Sequence, residues 1–211
     1  MRLLIVRLGS IGDIIHALPL AEALRAHESG PQVEWLVERS LAPVLRMAPA
    51  VSRVMTIETR RLRRGRGWIP VLRELRARRY DVAFDAQGLV KSAALARLSG
   101  ARRVVGWTRP HVREALAAWW YTERIDPGGT RHVIDKNLAL LRAMGVDAAS
   151  RALRLDEGPA SPHLTPFVSG RHGPFALLNP GGNWPNKRWS ADRFGELAAW
   201  LRDVHGLYSL V

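Results

Sequence analysis

The residue types that handle protons and anions gather in three short stretches, each leading from an apolar run into a helical pattern. The first is RLGSIGD, Arg7 to Asp13. Its glycines, Gly9 and Gly12, allow a tight turn and a close approach of ligand to backbone. Asp13 stands where a helix begins and admits two readings. It is either a first-turn carboxylate that complements the helix dipole, or a general base facing a cleft. The two pull apart, because a helix N-terminus lowers a carboxyl pKa and a base gains from a raised one. His16 lies three residues on and reads first as a packing or hydrogen-bonding residue.

The second stretch is DAQGLVKS, Asp85 to Ser92, in which Gln87, Gly88, Lys91 and Ser92 offer donors to an anionic or hydroxylated ligand. A plain turn with an exposed helix start is the alternative. The third is NPGGNWPNKRWS, Asn179 to Ser190. Its PGG turn bares backbone N–H groups, and Lys187 and Arg188 add cations at the next helix N-terminus. Together they describe an anion site that uses no metal; a solvated basic turn is the alternative. No G-x-G-x-x-G, phosphate-loop G-K-[ST] or G-x-S-x-G pattern occurs, and no H-x-x-x-H or D-x-D supplies metal ligands. With no cysteine there is no thiolate chemistry.

The elements around these stretches alternate. Leu3–Val6, Val33–Val37, Arg53–Ile57, Asp81–Asp85 and Arg102–Trp107 read as strands. Helical patterns follow the first, third and fourth of these, and His132–Gly145 reads as a further helix. Such alternation predicts an α/β fold with a mostly parallel, doubly wound sheet. Pro19 predicts a kink or a fresh start within the first helix. Residues 1–155 read as one domain, 156–173 as a linker rich in Pro, Gly, Ser and His, and 174–211 as the start of a second domain. In that last part, Phe194, Leu197, Ala198, Leu201 and Val204 form one helical stripe that needs a sheet to cover it. The net charge of +13 comes mainly from arginine, densest in RRLRRGRGW, Arg60 to Trp68. It fits a nucleic acid, an anionic membrane surface or a polyanionic substrate, although no RNA-recognition, KH or helix-turn-helix pattern favours the first.

Taken together, RLGSIGDIIHALPL, DAQGLVKSA, RHVIDKNLALLRAMG and NPGGNWPNKRWS, in that order, resemble the lipopolysaccharide heptosyltransferase family (glycosyltransferase family 9), its heptosyltransferase I branch in particular. The resemblance implies a GT-B glycosyltransferase with two Rossmann-like halves, an N-terminal acceptor half and a C-terminal donor half. It implies inverting, metal-independent transfer of heptose from ADP-heptose to the Kdo sugars on lipid A, with no cofactor. Asp13 would take the acceptor proton. Lys187, with Arg188 and the backbone at Gly181 and Gly182, would hold the donor phosphates. Gly9, Ser10, Gly12, Arg60, Arg61, Gln87 and Lys91 would face the acceptor. The expected place is the cytoplasmic face of the inner membrane, held peripherally, with no nucleic-acid partner. A related transferase using another sugar nucleotide, or a basic phosphate- or nucleic-acid-binding module, stands as the alternative. The sequence departs from the family in lacking a later Asp-[Ser/Thr]-Gly-x-x-His loop. The second domain therefore reads as cut short, and the chain alone is expected to be inactive or nearly so.

Overall fold

The computed structural model describes residues 1–60, 67–146, 150–158, 165, 173–182, 186 and 188–211. The chain forms two compact units, Met1–Glu157 and Gly158–Val211.

The first unit is built on six parallel strands: β1 (Arg2–Val6), β2 (Gln32–Glu38), β3 (Arg53–Ile57), β4 (Val82–Asp85), β5 (Arg103–Trp107) and β6 (Glu123–Ile125), in the order β3-β2-β1-β4-β5-β6. Buried on both faces, such strands read as near-continuous apolar runs, and Leu3, Leu4, Ile5 and Val6 are all fully buried. Their side chains alternate between two cores. Leu3 and Ile5 join Trp35 and the helix α1 (Ile11–Arg25) on one face. Leu4 and Val6 join α3 (Trp68–Ala77) and α4 (Val90–Leu98) on the other. A short helix α2 (Ala42–Arg46) and α5 (Val133–Leu138), which tightens into a 3-10 turn over Ala139–Met144, complete the first layer.

Several elements differ from the sequence expectation. α1 runs without a fresh start through Pro19. β6 has only three residues and lies at the sheet edge, too short to leave an alternation signal. The 3-10 segments Arg109–His111 and Ala115–Trp120 and helix α2 were also not foreseen.

One glycine of β5 fixes the far side of the sheet. A methyl group on Gly106 would overlap the Tyr121 ring, which lies directly over this strand. From there the Tyr121 hydroxyl donates to Asp85 Oδ2 at 2.7 Å. Gly106→Ala is therefore expected to displace the ring and its bond to the buried carboxylate, lowering stability by about 3 kcal/mol. A urea unfolding midpoint unchanged from wild type would refute this.

Among the described residues the second unit holds a βαβ step: β7 (Phe175–Leu177), α6 (Ala191–His205) and β8 (Tyr208–Leu210), with parallel strands paired Ala176 to Ser209. Ser190 Oγ caps α6, and Gly206, left-handed at φ +64, ends it. Of the stripe read from the sequence, Phe194, Leu197, Ala198 and Leu201 are half-buried, and Val204 is exposed.

Candidate functional site

In the order β3-β2-β1-β4-β5-β6, chain progression reverses between β1 and β4. In open α/β sheets the crevice beyond the carboxyl ends of the strands at such a point is where ligands bind. The stretches after β1 and β4 flank it, and they are stitched together. Gln87 Oε1 accepts from Leu8 N–H at 2.9 Å, and Arg7, only 2% exposed, donates through Nη1 to the Ala86 carbonyl. The Trp35 indole N–H adds a bond of 3.1 Å to the Arg7 carbonyl.

This framework aims Arg7 at Asp13. Arg7 Nη2 lies 2.7 Å from Asp13 Oδ2. Among the described residues Arg7 Nε and Nη2 nevertheless find no aligned hydrogen-bond partner, so the pairing is a close charge contact rather than a two-pronged fork. Asp13 occupies the third position of α1, and its Oδ2 reaches back to the Ser10 N–H at 3.1 Å. The helix-start reading is thus realised, and the same side chain stands beside the switch point. A second guanidinium, from exposed Arg113, stands 3.4 Å from Oδ2.

Burial by itself would raise the Asp13 carboxyl. The charge of Arg7, the Ser10 N–H, the Arg7 contact and Arg113 outweigh it and hold the carboxyl below its ordinary value. Lys136 belongs to the same charge cluster. Its Nζ sits 4.5 Å from the centre of the Trp107 ring and donates to the His111 carbonyl. Burial, then the charges of Arg113 and Arg7, lower its pKa. Asp13 thus has two guanidinium groups against it, and Lys136 adds a third cation close enough to Arg7 and Arg113 to feel their charge.

The stretch after β4 is organised inward. Asp85, fully buried, accepts from the N–H groups of Gln87 (2.9 Å) and Gly88 (3.2 Å), from Ser92 Oγ (3.1 Å) and from Tyr121. Leu89 N–H is taken by Ser92 Oγ, and Val90 N–H by Glu114 Oε2 at 2.7 Å. The N-terminus of α4 already has its own anion in Glu114. The donors of Gln87 N, Gly88 and Ser92 expected to meet a ligand are spent within the fold, because a buried aspartate at a strand end must be satisfied from nearby. Gln87 itself is 7% exposed and serves as a brace, while Lys91 is half-buried on α4. Gly88, at φ +73, packs against the backbone of Val112 and Arg113, the approach that brings Arg113 to Asp13.

Ser10 and Gly12 are exposed at the start of α1, Gly9 is half-buried against Leu41, and Arg60 is exposed beyond the carboxyl end of β3. Arg61 and Lys187 lie outside the described residues. In the second unit, Gly181 N–H is engaged by Asn179 Oδ1 at 3.0 Å, and exposed Arg188 folds back through Nε onto the Gly182 carbonyl. Arg7, Arg113, Lys136 and Glu114 were not singled out from sequence. Arg7 carried a signal, as a charge ending a wholly apolar strand; the others are brought in by the chain after β5.

The family model of glycosyltransferase family 9 (heptosyltransferase) matches residues 68–207. The chain belongs to this family. Lipopolysaccharide heptosyltransferase 1 of Pseudomonas aeruginosa is 34% identical over an alignment covering 94% of this chain and 57% of the relative. The protein of the same name from Escherichia coli K12 is 31% identical over 90% of this chain and 62% of the relative. The chain thus spans 57–62% of the length of these two relatives. The E. coli heptosyltransferase WaaC with ADP superposes with a TM-score of 0.79 at 27% identity, covering 99% of this chain and 65% of that one. E. coli ADP-heptose lps heptosyltransferase II shares the fold, with a TM-score of 0.71 at 21% identity. The architecture is of the GT-B type, and the six-stranded unit with the βαβ step aligns over nearly its whole length.

Proposed function

We propose that this chain supplies the acceptor side and the first donor loop of an inverting, metal-independent heptosyltransferase. It would move heptose from ADP-heptose to the Kdo-lipid A inner core during lipopolysaccharide synthesis. The observation that carries the reading is Asp13, an ionised carboxylate at the switch point with Arg7 and Arg113 on it. An acceptor hydroxyl attacks the anomeric carbon from the face opposite ADP, and the bond from that carbon to the diphosphate oxygen breaks. The hydroxyl proton passes to Asp13, and ADP leaves with the electron pair. A carboxylate of low pKa is a weak base, yet it suffices here. The attacking oxygen becomes strongly acidic only as its new bond forms, so proton transfer comes late.

The positive charge of Arg7, Arg113 and Lys136 suits an acceptor bearing carboxylates. Arg60 and Arg61, with Gly9, Ser10, Gly12 and Lys91 around the first two loops, are proposed to extend this acceptor surface. Lys187, with Arg188, Gly181 and Gly182, is proposed to meet the growing charge on the donor diphosphate, the role a metal would otherwise take. The protein is proposed to work peripherally at the cytoplasmic face of the inner membrane. Among the described residues no helix is long and apolar enough to cross a membrane. The 211-residue chain by itself is proposed to be inactive or weakly active, since α6 of the second unit has no fully buried residue.

ADP release from ADP-heptose with Kdo-lipid A, with and without a chelator, tests the reading. The assay uses the chain continued to its relatives' length with the C-terminal segment of the P. aeruginosa relative. Acceptor-dependent release that survives chelation is expected; release that needs added metal, or a different sugar nucleotide, overturns it. In the same assay Arg113→Ala should raise the acceptor KM by about tenfold, the worth of one charge-assisted contact. It should also move the acid limb of the rate profile upward, because one of the groups lowering the Asp13 pKa is gone. An unchanged KM and acid limb would remove Arg113 from the acceptor site.

A further inference from the structure

The chain leaves Arg113 through a 3-10 segment, Ala115–Trp120, that is apolar over all six residues. Its inner side chains, Ala117 and Ala118, are buried on the second core, and their small size seats the backbone close to it. Its outer side chains are large. Leu116 is 64% exposed and Trp119 is 73% exposed. In a 3-10 helix side chains three apart eclipse one another, so Leu116 and Trp119 form one outward ridge. Adjacent exposed apolar side chains of this size mark an interaction surface rather than core, since the core beneath is already filled by the alanines.

The surroundings are cationic. Exposed Arg109 and Arg124 line, with Ala118 and Trp119, a surface depression of ≈ 340 Å³. Arg124 is held against the segment by Nε donating to the Ala118 carbonyl at 2.7 Å. Of the nearby carboxylates, Glu114 is committed to the Val90 N–H and Glu123 to Arg103 at 2.6 Å, while exposed Asp126 accepts from the Gly128 N–H and stands 3.8 Å from His111 Nδ1. A tryptophan and a leucine projecting between arginines match the layered chemistry of a bilayer interface. The indole settles at headgroup depth, the aliphatic chain goes deeper, and the guanidinium groups meet lipid phosphates.

We infer that Leu116 and Trp119, flanked by Arg109 and Arg124, insert into an anionic bilayer and seat the acceptor site at its surface. This rests on the peripheral, lipid-linked acceptor proposed above and gives it a surface. The ridge begins three residues after Arg113, which touches Asp13. Insertion therefore brings the membrane plane to the rim of the crevice, where an acceptor sugar on a lipid would stand.

The test is co-sedimentation of the 211-residue chain with vesicles of phosphatidylcholine alone, or of phosphatidylcholine with phosphatidylglycerol, without any sugar substrate. Binding to the anionic vesicles is expected, and Leu116→Ser with Trp119→Ser should weaken it on the order of tenfold. Arg109→Ser with Arg124→Ser should weaken it mainly at low salt, because only the charge contribution is screened. Brominated lipid should quench part of the wild-type tryptophan emission, and that part should vanish in Trp119→Phe. Both outer residues are exposed, so the thermal melt should not move. Wild-type partitioning in the Leu116/Trp119 variant overturns the inference. So does self-association without vesicles that this variant abolishes, since the ridge would then meet a second copy. Vesicle binding is read apart from catalysis: its loss leaves the transfer proposal standing, and failed transfer with intact binding sinks only that proposal.

Discussion

Asp13→Asn in the extended form should lower the rate of heptosyl transfer by about 10³-fold, the typical worth of a positioned general base. The loss should fall on kcat, with the acceptor KM little changed, because Asn keeps the size and the acceptor oxygen that meets the Ser10 N–H. The substitution also removes the counter-charge of Arg7, a guanidinium only 2% exposed. An unfolding cost of about 2 kcal/mol is expected, between that of exposed and of fully buried pairs. The rate must therefore be measured well below the variant's own melting temperature, with circular dichroism confirming the fold. The pH dependence gives an independent check. The folded carboxyl of Asp13 is held below its ordinary 3.8. Wild-type rate controlled by this group should thus be flat through neutrality and fall only in acid. The stability it contributes is present above pH 3.8 and lost as pH falls through the folded value. Turnover within a factor of a few of wild type would remove Asp13 as the base.

Much of this arrangement was legible in the sequence where function and local structure coincide. Arg7 to Asp13 and Asp85 to Ser92 read as turns at strand ends, and parallel pairing of β1 with β4 sets Val6 opposite Asp85. What the residues alone did not disclose is where the hydrogen bonds go. The N–H groups of Gln87 and Gly88 are bare in sequence, yet the buried Asp85 beside them consumes both. Arg113 and Asp13 are separated by 100 residues, and tertiary contacts such as the packing of Gly88 on Val112 and Arg113 bring them together. No period or propensity encodes that approach. Helix α1 passing through Pro19 is a case of packing overriding propensity: Leu18, Leu20 and Ala21 around the proline are buried in the first core.

Removing the carboxylate of Glu34 should cost the first unit a large share of its stability. Glu34 interrupts the apolar run of β2 and points into the second-face core, 1% exposed. Both its oxygens lie 3.1 Å from Arg78 Nε, Arg78 Nη2 also donates to it, and the Tyr80 hydroxyl donates to Oε2 at 2.7 Å. Between these two donors Arg79 sits in the left-handed region at φ 54, unfavourable for a residue with a side chain. The network thus pins the turn from α3 into β4, the strand that ends in Asp85. Glu34→Ala would leave the buried Tyr80 hydroxyl with only the weak Met55 sulfur acceptor at 3.5 Å and the Arg78 charge without its partner. A loss of about 4 kcal/mol is expected. Glu34→Gln keeps an acceptor for Tyr80 and should cost about half as much. Burial pushes the Glu34 carboxyl up, but Arg78, Tyr80 and Arg53 together bring it below its ordinary 4.5. The stability gap between wild type and Glu34→Gln should therefore be constant above about pH 4.5 and close as pH falls through the folded value. Urea titrations of the three proteins at neutral and acid pH decide the matter. A gap that stays open in acid would mean that the charge of Glu34 is not what holds this turn in place.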